Sequence, residues 1–161
     1  MDINLQKHSD NGEVEALLDT SFGQDRHKKA AYSLREGVAA ISELSFIIRK
    51  DSYLIATLRF WPVKLGKYDL LLLGPIAVLP SLQGKGYGIT MMEYGLKQAK
   101  KLGHKRVILV GEESYYSRLG FSRKCAKSII MPGQNDESRL LALELVAGSF
   151  FGIKGIISKY N

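Results

Sequence analysis

Three glycines in five residues, Gly84, Gly86 and Gly88, separate a long apolar run from a stretch with helical periodicity. The run from Tyr68 to Leu79 is interrupted by Gly74-Pro75, which predicts a buried strand carrying a bulge. After the glycines, Ile89, Met92, Leu96 and Ala99 form one apolar stripe of a helix that starts at Tyr87 or Gly88 and runs to Leu102. Gly103 is placed to end it, with Lys100 and Lys101 in a last turn where cations suit the helix dipole. Glycines at such a corner let backbone N–H groups approach a ligand with no side chain in the way. The first helical turn adds unpaired N–H groups and a partial charge of about +0.5. Such a corner binds phosphate oxygens.

Two common phosphate loops do not fit. A Walker A loop needs Ser or Thr after Gly-Lys, and Gly86 follows Lys85. A dinucleotide fingerprint begun at Gly84 meets Ile89 where glycine is required, and begun at Gly86 it meets Met91.

The rest of the chain predicts an α+β fold. Ile3 to Lys7 reads as a short strand, and Asp10 as the N-cap of a helix over Gly12 to Phe22. A second helix is expected over Arg26 to Arg35. Leu44 to Arg49 and Tyr53 to Trp61 read as a hairpin turning at Asp51-Ser52, with Pro62 and Gly66 marking the next turn. A strand over Arg106 to Val110, a short helix near Ser114 to Leu119, and strands at Ala126 to Met131 and Leu140 to Val146 complete the order. No repeat or linker divides the 161 residues, so one domain over 1–161 is expected.

Composition narrows the setting. The net charge of +7 favours an anionic partner. The basic residues are scattered in short groups without interleaved aromatics, which argues against a nucleic-acid partner. No apolar run reaches the twenty or so residues of a membrane helix. The single cysteine, Cys125, forms no internal disulfide and no Cys-rich metal site. Residues Met1 to Lys7 lack the basic-then-apolar layout of a secretory signal. A cytoplasmic protein with no metal and no membrane association is expected.

The loop resembles the acyl-CoA loop of the GNAT superfamily of N-acetyltransferases, Gln/Arg-x-x-Gly-x-Gly/Ala, with Gln83, Gly86 and Gly88 in the defining positions. Leu73 to Pro80 resembles the family's fourth strand, and Tyr116-Ser117-Arg118-Leu119-Gly120-Phe121 its Tyr-x-x-x-Gly-Phe element. Phe60-Trp61-Pro62-Val63 and Gly111 to Tyr116 resemble a little-characterised bacterial branch. The resemblance implies a mixed, mostly antiparallel sheet of about seven strands, splayed between the fourth and fifth, with about four helices on its two faces. It implies a monomer or homodimer that moves an acetyl group from acetyl-CoA to a primary amine. A non-catalytic acyl-CoA sensor is the alternative.

The same resemblance assigns residues. Ile76, Ala77 and Val78 would offer backbone groups to the pantetheine arm. Gly84, Lys85, Gly86, Tyr87 and Gly88 would wrap the pyrophosphate, Lys85 either adding a charge or standing in solvent. Tyr116 is the catalytic candidate, because a tyrosine of pKa ~10 is protonated at neutral pH and donates to a departing thiolate. An amine of pKa ~10.4 must lose about 3.4 pK units at pH 7, roughly 4.6 kcal/mol. Family members often meet part of this with an acid on the fourth strand, and Leu70 to Leu73 holds none. Glu112 and Glu113 are the nearest carboxylates, and stabilising the start of a short helix is the stronger reading of both. No general base is assigned, and His104 is expected to be exposed. Arg26, His27, Arg35 and Glu43 are candidate acceptor contacts.

Overall fold

The structure is a computed structural model that describes Met1 to Tyr160; Asn161, the last residue of the expected domain, lies outside the described residues. In chain order it contains β1 (Ile3–Leu5), α1 (Asn11–Phe22), α2 (Ala30–Ser33), β2 (Ser45–Lys50), β3 (Tyr53–Leu65), β4 (Tyr68–Val78), α3 (Tyr87–Lys101) and β5 (Arg106–Val110). These are followed by α4 (Glu113–Tyr116), β6 (Ile129–Ile130), β7 (Leu140–Glu144), β8 (Gly155–Ile156) and β9 (Ser158–Lys159). Seven strands form one sheet in the order β1-β2-β3-β4-β5-β7, with β9 on β3. Every pairing in it is antiparallel except β4 with β5.

Strand periodicity divides the core by face. Phe46, Ile48, Leu58, Phe60, Leu71, Leu73, Val107 and Leu109 meet the stripe of α3. On the opposite face Ile47 and Ala77 pack on Val14, Leu17 and Leu18 of α1, while Val63, Leu70, Leu72 and Ile108 pack under the C-terminal segment. Helix α3 lies very close to the sheet because Gly95 has no side chain. A Cβ there would stand 2.8 Å from Phe60 Cε1 and 3.2 Å from Leu58 Cδ2. Gly95→Ala is therefore expected to destabilise the fold by roughly 1–3 kcal/mol through overpacking, read as a lower urea midpoint. An unchanged midpoint would mean that the helix stands off the sheet.

The decisive feature is a short parallel pairing. β4 and β5 match only at Leu71–Val107 and Leu72–Ile108, and then diverge. The register between β3 and β4 shifts opposite Gly74-Pro75, where the bulge was expected. Beyond it, Ile76, Ala77 and Val78 pair with Leu58, Thr57 and Ala56 on one side. Their other edge has no strand partner among the described residues.

Several expectations need correction. Arg26 to Arg35 is a 3₁₀ turn (Arg26–Lys28) followed by the single-turn α2, since Arg26 turns inward to Glu15 and Asp19 and the chain bends with it. Pro62 lies inside β3, opposite Leu71, and marks no turn; β2 ends its pairing at Arg59, so no strand on that side requires the missing N–H. Only Ile129–Ile130 of the expected sixth strand is extended, and it pairs with β8 outside the main sheet. Asp10 stands at the N-cap position of α1, as expected, but its side chain caps no N–H of that helix. Its carboxylate accepts from Lys7 N–H and Arg49 Nη2, both at 2.7 Å, which holds its pKa below the usual range. His104 is half-buried, and burial lowers its pKa.

Candidate active site

Divergence of β4 from β5 opens two adjoining clefts. The first, about 800 Å³, is walled by Leu72 to Ile76, the end of β5, residues between Phe22 and Arg35, and the loop from Gly133 to Arg139. The second, about 600 Å³, runs between Ile76–Val78 and the glycine corner of α3. Phe22, Ile76, Tyr115 and Tyr116 line both and form their junction.

The glycine corner is built by backbone conformation. Gly84 (φ +80°) and Gly86 (φ +90°) occupy the left-handed region, which a side chain would strain. Gly86 is the N-cap of α3, and no side chain caps the helix, so its first N–H groups face outward unpaired. Gln83 Nε2 donates to Val78 O at 3.2 Å and ties the loop to the strand. A Cβ on Gly88 would meet Ile76 Cδ1 and Val78 Cγ2 at 3.8 Å, so glycine keeps that gap open. Ile76, Ala77, Val78, Gln83, Gly84, Gly86, Tyr87 and Gly88 all line the second cleft, whereas Lys85 is exposed and lies outside its lining.

At the junction the Tyr116 ring rests on the backbone of Gly111, where any Cβ would overlap it. Its centroid lies 4.9 Å from that of Tyr115 and 6.4 Å from that of Phe121, both edge-on. Burial, and then the neighbouring Tyr115, push the Tyr116 pKa above its ordinary value, with Arg139 opposing. Gly120 (φ +97°) makes the turn that sends Phe121 into the core, which accounts physically for the Tyr-x-x-x-Gly-Phe spacing. Tyr115 points its hydroxyl toward Gly88, and Arg118 lies 4.7 Å above its ring along the second cleft.

The flanking groups sort clearly. Glu113 accepts from Arg123 N–H at 2.7 Å and lines neither cleft. Glu112 lines the first cleft but is paired with Arg139. Of the four candidate acceptor contacts, Arg26 and Arg35 line the first cleft, whereas His27 and Glu43 do not, Glu43 accepting instead from Ser42 Oγ. Sequence reasoning missed Arg118 and the wall at Gly133 to Asp136, a polar loop with no periodic signal. Among the described residues no group of three or more His, Cys, Asp or Glu could hold a metal ion, and no helix is long and apolar enough to cross a membrane.

Comparison with known proteins places this geometry. The chain is 26% identical over 151 residues to the uncharacterized N-acetyltransferase YhbS of Escherichia coli K12, covering 92% of this chain and 89% of that protein. The crystal structure of E. coli YhbS in complex with CoA superposes with a TM-score of 0.83 at 24% identity, covering 98% of this chain and 88% of that one. A GNAT family acetyltransferase from Brucella melitensis, in complex with acetyl-CoA, gives a TM-score of 0.72 at 22% identity over 99% and 95% of the two chains. The family model for the Acetyltransferase (GNAT) family matches residues 12–121, from α1 through the splayed strands to Phe121, and the chain belongs to that family.

Proposed function

We propose that the protein transfers the acetyl group of acetyl-CoA to a primary amine by direct attack in a ternary complex, as a single domain working in the cytoplasm. The observation that carries this reading is the meeting of two clefts at Ile76 and Tyr116, one bounded by free strand edge and helix N-terminus, the other open to a second substrate. The second cleft fits the coenzyme. The free edge of Ile76 to Val78 offers N–H and C=O groups to the pantetheine amides as an added strand would. Gly84, Gly86, Tyr87 and Gly88 turn N–H groups toward the pyrophosphate, and Lys85 adds positive charge from outside the cleft.

In the reaction the amine nitrogen attacks the thioester carbonyl carbon and the C–S bond breaks as the tetrahedral intermediate collapses. The thiolate takes the phenolic proton of Tyr116, the surplus proton of the amine leaves through the open first cleft to water, and the phenolate regains a proton from solvent before the next turnover. Arg26, Lys28, Lys29, Arg35 and Arg139 outnumber Glu112 and Asp136 along that cleft. This positive surplus disfavours the ammonium form and lowers the cost of deprotonating the amine.

One observation favours a rival reading as an acyl-CoA sensor: among the described residues no carboxylate lies at the junction to serve as a base. Calorimetry with acetyl-CoA, followed by thiol release across a panel of amines, separates the readings. Binding with turnover supports the transferase, binding without turnover on any amine supports the sensor, and absence of binding removes both.

A further inference from the structure

Three arginines and two carboxylates meet behind the first cleft, and their charges do not balance. Glu15 is shared by Arg26 and Arg59 (3.2 Å to Arg59), and Asp19 accepts from Arg26 Nε at 3.0 Å. Tyr32 gives its hydroxyl oxygen to Arg26 Nη1 at 2.9 Å. Arg35 receives no carboxylate among the described residues, although it is only 7% exposed. Its Nε is buried without a hydrogen-bond partner. The guanidinium is seated between rings, with Tyr32 as its one favourable polar neighbour: it lies 4.7 Å from the Tyr32 ring centroid and 5.8 Å from that of Trp61, and Nη2 stands 3.1 Å from where a Cβ on Gly74 would be. Burial, partly opposed by Tyr32 and reinforced by Arg59 and Arg26, pulls its pKa down to about 10, so it stays charged at neutral pH. A charge in such a place weakens the fold unless something pairs with it.

That unpaired charge lines the cleft assigned above to the acceptor. We propose that Arg35 binds a carboxylate of the acceptor, so that the substrate is a small primary amine bearing a carboxylate. A guanidinium seated between rings presents a rigid planar fork that matches a carboxylate. Only Pro75 separates Gly74, beside which the guanidinium sits, from Ile76 at the junction of the clefts. A carboxylate on Arg35 thus leaves an amine a few bonds away at the junction with Tyr116. The bound anion also supplies the partner that Glu15 and Asp19 cannot.

The inference rests on the acetyltransferase reading, and its test has an arm independent of it. Without coenzyme, millimolar α-amino acids and β-alanine are expected to raise the Tm of the wild-type protein by about 3–6 °C at tenfold saturation. Their carboxamides should not, and Arg35→Met should remove the response. Arg35→Met itself is expected to melt no lower than wild type when no ligand is present. In acetyl-CoA assays, kcat/KM for the best carboxylated amine should exceed that for its carboxamide by about 100-fold or more, a ratio that falls near one in Arg35→Met. Its affinity for acetyl-CoA should be retained. Equal response to acid and amide, or a melting temperature well below wild type in Arg35→Met, overturns the subsite. Failure to bind acetyl-CoA while the carboxylate-specific shift persists removes the transferase reading and leaves Arg35 as a carboxylate site.

Discussion

Replacing Tyr116 with phenylalanine is expected to lower kcat by about 10²- to 10⁴-fold, with acetyl-CoA affinity nearly unchanged. Only the hydroxyl is lost, because the ring keeps its seat against Gly111 and Phe121. Tyr115→Phe is the control: that hydroxyl faces Gly88 in the second cleft, the one proposed for the coenzyme, so its removal should act mainly on acetyl-CoA affinity. The pH profile gives a second reading. Burial holds the Tyr116 pKa above its ordinary value of 10.0, so the phenol remains a proton donor throughout the neutral and mildly alkaline range. The rate should therefore climb as the amine loses its proton and should not fall until above pH 10. Wild-type-like turnover in Tyr116→Phe, or a basic limb well below pH 10 that vanishes in the variant, would contradict this role and this environment respectively.

Gly86→Glu is expected to weaken acetyl-CoA binding by about three orders of magnitude or more. A carboxylate at ~4 Å from a phosphate costs about 4 kcal/mol at an effective dielectric near 20. A side chain at φ +90° adds about 1–2 kcal/mol of strain in the loop itself. The helix should survive, because a negative charge suits the N-terminus of α3. Gly86→Ala provides the comparison: a Cβ there meets nothing within 4 Å, so only the conformational strain remains and the loss of affinity should be far smaller. Calorimetry on both variants checks the assignment. Retained affinity in Gly86→Glu would show that the diphosphate lies elsewhere.

The corner at residues 83–88 was legible because its requirements are local. Left-handed glycines, an uncapped helix start and a stripe at Ile89, Met92, Leu96 and Ala99 follow from short-range sterics and periodicity. The bulge at Gly74-Pro75 was legible for the same reason. The acceptor side was not. Arg26 pulls residues 26–35 out of the helix that their composition favours, through partners seven and eleven positions earlier in the chain. Arg35 was one of four candidate acceptor contacts with nothing in the sequence to single it out, and its solitude appears only once Glu15 and Asp19 are seen to be occupied by others. Gly95 gave no signal either, since its role depends on Phe60 and Leu58 arriving from another strand.

The divergence of β4 from β5 has a consequence for how such a protein can change. One bank of the opening is a contiguous piece of chain, residues 76–88, whose work falls on main-chain atoms and glycine conformations. The opposite bank is assembled from two distant stretches, near residues 22–35 and 133–139, and is made of side chains. On the proposed assignment of the two clefts, substitutions on that bank would retune what is accepted without disturbing what is donated, so a descendant could acquire a new acceptor while inheriting its coenzyme grip intact.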